Sequence, residues 1–180
     1  AKFIRVFTPT NDFIKANYIT FNYSLHISPR SVLTGPDLKG IKKFLSRLLL
    51  ITSLQTTKKS VATGSFEFNP FKYGVSDTAL ILMNNTFLNT LSFNRFNSKW
   101  GIDLTNLRNN GKSLLTYGYE SRKLNDWMLK YRWNISRVIA LTIDGKKGSN
   151  ALYTPQFANR NYQLTTYSAE PLLIFVKGTS

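Results

Sequence analysis

Between Asn125 and Ser136 the chain reads Asn-Asp-Trp-Met-Leu-Lys-Tyr-Arg-Trp-Asn-Ile-Ser. Trp127, Leu129, Tyr131, Trp133 and Ile135 fall on every second position, and Met128, Lys130, Arg132, Asn134 and Ser136 fill the places between. A period of two is the signature of a β-strand, because successive side chains leave opposite faces of the pleat. Such a strand has one greasy face and one wet face. Two environments accept it: a soluble sandwich or barrel turns the greasy face inward to a core, and an outer-membrane barrel turns it outward to lipid.

The pattern recurs. Over residues 16–28, Ile19, Phe21, Tyr23, Leu25 and Ile27 alternate with Thr20, Asn22, Ser24, His26 and Ser28. That run exceeds the ~5–6 residues of an ordinary globular strand and matches the ~9–11 of a tilted membrane strand. Pro29 and Thr34-Gly35-Pro36-Asp37 are its stop. Residues 41–59 are ambiguous, since Ile41, Phe44, Leu45, Leu48 and Leu49 also fit an amphipathic helix; the Thr-rich second half favours a strand from about Arg47 to Lys58. Residues 64–71 read as an edge or loop because of Pro70. Thr78 to Asn94 reads as two strands or one bulged strand. Trp100, Ile102 and Leu104 begin another, with Asn109-Asn110-Gly111-Lys112 as its turn, and Leu115, Tyr117 and Tyr119 the next. Ile139, Leu141 and Ile143 lead to a second expected turn at Asp144-Gly145-Lys146-Lys147-Gly148, and Tyr162, Leu164, Leu172, Ile174 and Val176 close the series. The expectation is an all-β antiparallel up-and-down meander of about seven to nine strands, forming a single domain over residues 1–180.

Composition narrows the chemistry. The 180 residues include no cysteine and one histidine, so disulfides, thiolate nucleophiles and histidine metal clusters are excluded. Apolar runs such as Leu48–Ile51 and Leu172–Val176 are far shorter than the ~20 residues of a membrane helix. The opening Ala-Lys-Phe-Ile-Arg-Val-Phe lacks the parts of a signal peptide, which implies a processed chain or an excerpt. A net charge of +15 suits polyanion partners, yet the cations are dispersed, many beside expected turns.

No catalytic or metal constellation emerges. The carboxylates form no close pair at glycosidase or metal spacing, and no phosphate-binding glycine loop is present. His26 alternates onto a polar strand face, where a hydrogen-bonded role is the better reading. Asp103 and Glu120 are expected to pair with Lys130 and Arg132 across neighbouring strands. In Lys130-Tyr131-Arg132-Trp133 rings and cations alternate and so leave opposite faces, whereas base stacking needs them on one. Nucleic acid is therefore a disfavoured partner, and no cofactor is expected.

The stretches Thr-Leu-Ser-Phe-Asn-Arg-Phe-Asn-Ser-Lys-Trp-Gly-Ile-Asp (90–103), Lys-Ser-Leu-Leu-Thr-Tyr-Gly-Tyr-Glu-Ser-Arg (112–122), Leu-Lys-Tyr-Arg-Trp-Asn-Ile-Ser (129–136) and Phe-Ala-Asn-Arg-Asn-Tyr-Gln-Leu (157–164) resemble barrel strands of large outer-membrane or surface proteins of Bacteroidota. The resemblance implies a location, the bacterial outer membrane, and an architecture, part of a transmembrane β-barrel; it transfers no active-site residue. Barrels of this kind commonly end on a terminal aromatic strand, whereas this chain runs on past Phe175, which fits a segment of a larger barrel. Its partners would be the lipid bilayer and the rest of the barrel chain or other envelope proteins. On that reading Ile19, Phe21, Tyr23, Leu25, Ile27, Trp127, Leu129, Tyr131, Trp133 and Ile135 face lipid, with Trp127 and Trp133 near strand ends as girdle residues. Thr20, Asn22, His26, Asp103, Glu120, Lys130 and Arg132 face a wet lumen. The rival reading is a soluble basic β-domain that binds nucleic acid or acidic glycan.

Overall fold

The computed structural model describes residues 15–33, 35, 39–62, 80–116 and 118–175. Their strands form one antiparallel sheet in which each pairs with its sequence neighbours: β1 (Ala16–Ile27), β2 (Leu48–Val61), β3 (Leu80–Phe93), β4 (Trp100–Leu115), β5 (Gly118–Asn134), β6 (Ile139–Tyr153) and β7 (Tyr162–Phe175). The sheet is open, with no pairing between β1 and β7. A short helix, α1 (Gly40–Leu45), precedes β2, so the ambiguous stretch divides between the two expectations: helix first, strand from Leu48. Of the stretch Thr78–Asn94, the described part forms one strand, Leu80–Phe93, whose register shifts opposite Lys59 and Ser60. The expected edge or loop at 64–71 lies outside the described residues.

Both expected inner turns are overturned. Asn109-Asn110-Gly111-Lys112 lies inside β4, and Asp144 to Gly148 inside β6. Turn-prone residues are held extended here by neighbours on both sides. The Asn109 side-chain amide donates to Thr86 Oγ1 at 2.8 Å, which replaces the local backbone bond an asparagine would make in a turn. Gly148 is flanked so closely that a Cβ there would stand 2.7 Å from Thr166 Oγ1 and 3.0 Å from Asp126 Oδ1. The glycine is needed for side-chain clearance in a strand. The real reversal between β4 and β5 comes at Leu115–Gly118, where Gly118 has φ 118°, a left-handed value that suits glycine. As a result Leu115 and Tyr119 leave opposite faces instead of sharing one.

Strands of 12 to 17 residues are roughly twice globular length. Among the described residues the sheet has no second layer of strands, and few apolar side chains are fully buried: Leu54, Leu80 and Met83. Thr56, Lys58, Ser60 and Asn85 are buried beside them. At one end Phe44 of α1 meets Phe93 at 5.0 Å between ring centroids, and Phe93 meets Trp100 at 5.6 Å.

Candidate functional site

Directly opposed residues of an antiparallel pair project to the same face, so the register sorts every strand side chain to one of two sides. Face A carries the odd positions of β1, β3, β5, β6 and β7 along the regular part of the ladder, and the even positions of β2 and β4. Ile19, Phe21, Tyr23, Leu25 and Ile27 of β1 therefore share a side with Trp127, Leu129, Tyr131 and Trp133 of β5, four strands away. Thr20, Asn22, His26, Asp103, Glu120, Lys130 and Arg132 all stand on face B. The two sets separate as the alternation requires. Ile135 is different: β5 ends at Asn134, and Ile135 belongs to the turn, where its N–H donates to Ile139 O at 3.0 Å. Trp133 is at a strand end as expected, but Trp127 lies near the middle of β5.

On face A the apolar residues form a band that is exposed at several points from β3 to β7, whereas on β2 and β3 the same face is buried at Leu54, Thr56, Lys58, Met83 and Asn85. One row across it reads Leu48, Phe93, Ile102, Tyr131, Ile143 and Pro171; the next reads Ile27, Leu50, Leu91, Leu104, Leu129, Gly145 and Ala169. Leu129 is 48%, Trp133 43% and Leu91 42% exposed, values that a core residue does not show. The band runs obliquely. On β1 it extends from Ile19 to Ile27 and centres on Tyr23, and on β7 from Tyr167 to Phe175, centring on Pro171. The row through Tyr23 passes Leu54, Phe87, Arg108, Asn125 and Ser149 and reaches β7 at Thr165, so the centre drifts toward Pro171 by about one residue per strand. With ~3.3 Å per residue along a strand and ~4.8 Å between strands, that drift makes the strands oblique to the band normal by ~35°, the tilt typical of barrel strands. Thr52 and Asn89, polar positions within the band, satisfy one another, the Thr52 hydroxyl donating to Asn89 Oδ1.

Face B carries a charged ladder at the same level. Asp103, Lys130, Asp144 and Glu170 are opposed in one row across β4 to β7, and Lys146 stands in the next. Lys130 Nζ lies 3.7 Å from Asp144 Oδ2, both half exposed, and Lys146 Nζ lies 2.8 Å from Asp126 Oδ2, whose side chain is buried. Sequence had coupled Asp103 and Glu120 with Lys130 and Arg132. Asp103 does oppose Lys130, but Glu120 instead accepts from Arg122 Nε at 2.6 Å, two residues along its own strand face. Arg132 Nη2 donates to the carbonyls of Arg95 at 3.1 Å and Asn97 at 2.9 Å, over Gly101, whose added Cβ would stand 3.3 Å from that nitrogen. Arg132 thus fastens the loop between β3 and β4 instead of standing free.

Searches of protein-family models, curated proteins and solved structures return no match. The chemistry of the two faces carries the functional reading.

Toward the β4–β5 turn the two faces become mixed, face A gaining polar and cationic residues among Leu114, Tyr119 and Tyr153, and face B gaining leucines. Face A there carries Asn106, Arg108, Asn110 and Lys112 on β4 and Lys123 and Asn125 on β5, while face B carries Leu88, Leu107, Leu124, Leu152 and Leu164. Asn106 is buried, its amide donating to Asn125 Oδ1 at 2.9 Å and to Asp126 O at 3.2 Å. Sequence reasoning followed the greasy face of β5 only toward Ile135. Extending the same parity backward from Trp127 reaches Lys123, and from Leu104 onward reaches Arg108. Among the described residues no group of three or more His, Cys, Asp or Glu side chains is arranged to hold a metal, and no helix is long and apolar enough to cross a membrane.

Proposed function

We propose that the chain is a segment of an outer-membrane β-barrel and serves transport, secretion or envelope assembly, with face A against hydrocarbon and the face B ladder against a wet lumen. The observation that carries this reading is the exposed oblique apolar band. An exposed apolar band on strands of this length is costly in water, and lipid solvates it when the strands incline by the angle the drift implies. Trp133 and Trp127 then mark the two margins of the band on β5, about six residues or ~20 Å apart along the strand and ~16 Å apart in height at that tilt, which spans about two thirds of the lipid-facing zone. The open edges at β1 and β7 fit the same reading, because a membrane sheet closes only when further strands pair with them. An aqueous lumen lined by Lys130 and Lys146 beside Asp103, Asp144 and Glu170 would pass or hold polar chains and solutes.

The test is partition of the native protein between carbonate-washed outer membrane and the soluble fraction, without added detergent. Retention in the washed membrane is expected. Recovery as a folded soluble protein would overturn the barrel reading and favour the second one, a soluble basic β-domain that binds polyanions. The leucines of face B near the β4–β5 turn support that alternative, since a soluble sheet would need an apolar face to cover at that end as well.

A further inference from the structure

Formal charge is divided unequally between the two faces. Face B holds Lys59, Arg122, Lys130, Arg132 and Lys146 together with Asp103, Glu120, Asp126, Asp144 and Glu170, so its cations and carboxylates match one for one. Face A holds Lys58, Arg108, Lys112, Lys123 and Lys147, and among the described strand residues no Asp or Glu. Its cations keep to one side of the apolar band. Arg108, Lys123 and Lys147 are exposed, and Lys147 lies directly opposite Trp127, with its Nζ 5.5 Å from the centre of the Tyr167 ring. Arg108 on β4 and Lys123 on β5 are one strand and one row apart, a separation of ~8 Å that two long side chains can span to a shared anion.

We propose that Arg108, Lys123 and Lys147 form a belt that binds the phosphate of anionic lipid headgroups in the leaflet bordering the Trp127–Tyr167 margin. The inference rests on the barrel reading and names a ligand for it. A headgroup phosphate sits where apolar surface gives way to water, and aromatic rings favour that same boundary. Cations next to such a margin extend their stems along the apolar surface and deliver the charge to the phosphate plane. Continuity of the belt with the apolar band selects a lipid-borne phosphate over a soluble anion, because one molecule then satisfies both surfaces. Cations balanced by carboxylates, as on face B, would gain little from an added anion.

The experiment uses the full-length membrane protein in bilayers of phosphatidylcholine doped with brominated phosphatidylglycerol or, separately, brominated phosphatidylcholine, reading tryptophan quenching. Trp127, Trp133 and Trp100 all stand on face A, so contact with either lipid is reported directly. Brominated phosphatidylglycerol should quench more strongly than brominated phosphatidylcholine at equal mole fraction. In R108Q/K123Q/K147Q that preference should fall by roughly fivefold per cation removed, with quenching by brominated phosphatidylcholine unchanged. The charge-preserving K123R/K147R should keep the preference. Equal quenching by both lipids in the unaltered protein would overturn the headgroup site while leaving the barrel intact. No quenching by either would overturn the barrel itself. Abolition of the preference by inorganic phosphate, at fixed ionic strength, would overturn the lipid assignment in favour of a soluble anion.

Discussion

Leu129 and Lys130 are adjacent in sequence, stand at the same level of β5, and leave opposite faces, so substituting each in turn probes the two environments at one depth. Leu129 sits within the apolar band, opposite Leu104 and Gly145. Leu129→Arg puts a guanidinium where hydrocarbon is proposed, and the cost near a bilayer midplane is ~2–4 kcal/mol. The same residue is 48% exposed, and with water as its solvent a change at such a site costs no more than ~0.5 kcal/mol. Lys130→Leu removes an ion pair of 3.7 Å between side chains 58% and 49% exposed, worth under ~1 kcal/mol. Urea unfolding of the full protein in bilayers should therefore show a large loss for Leu129→Arg and a small one for Lys130→Leu. A difference between the two below ~1 kcal/mol would refute the lipid contact of face A. Loss of folding for Leu129→Arg in plain buffer, with no membrane present, would instead place a protein layer over Leu129.

Three further outcomes follow from local geometry. Lys146→Ala should destabilise by ~1–3 kcal/mol in urea titration, because it strips the 2.8 Å partner from the buried Asp126 carboxylate, and the paired change with Asp126→Asn should recover part of that. Gly148→Val should cost ~1–3 kcal/mol by overpacking against Thr166 and Asp126, whereas Gly145→Ala, whose added Cβ meets nothing closer than Leu129 O at 3.9 Å, should be nearly neutral; thermal unfolding midpoints compare them. Arg132→Ala should raise amide hydrogen exchange around Arg95 to Asn97 in the loop between β3 and β4, since its guanidinium bonds to Arg95 O and Asn97 O tie that part to β5, while Asn134 holds the Ser98 and Lys99 carbonyls independently.

The separation of the two faces was legible in the sequence wherever alternation was strong. Alternation alone puts the residues around Tyr23 on one side of β1 and those around Tyr131 on one side of β5, and the register joins the two sets on face A. Strand ends were less legible, and for a definite reason. Asn109 to Lys112 and Asp144 to Gly148 have turn chemistry, but their neighbours lie on other strands: Thr86 for Asn109, Thr166 and Asp126 for Gly148. A cross-strand amide bond or a clearance requirement leaves no local trace. The ion pairs were legible in kind and not in partner, since Asp103 and Asp144 both oppose Lys130 and only register decides their distances. The cationic belt was hidden by the assumption that a strand keeps one greasy face along its whole length; β4 changes from Leu104 to Arg108 on the same side within four residues.

The strictly sequential order of the sheet also governs how it assembles. Every ladder joins neighbours in the chain, so contact order is low for an all-β protein and long loops need not close before pairing begins. The tight reversal at Leu115–Gly118 makes β4–β5 the natural first hairpin, with a ladder extending from Leu115↔Gly118 to Trp100↔Trp133, and hairpins of this type zip in ~1–10 μs. Growth then proceeds outward through β3 and β6, and at each stage the outermost strand is the template for the next. Among the described residues the sheet keeps two such growing ends, β1 and β7, whose edge backbone groups are a template for whichever strand reaches them first. On the barrel reading, timely pairing of those two ends, more than the stability of the interior ladders, sets the competition between orderly closure and aggregation.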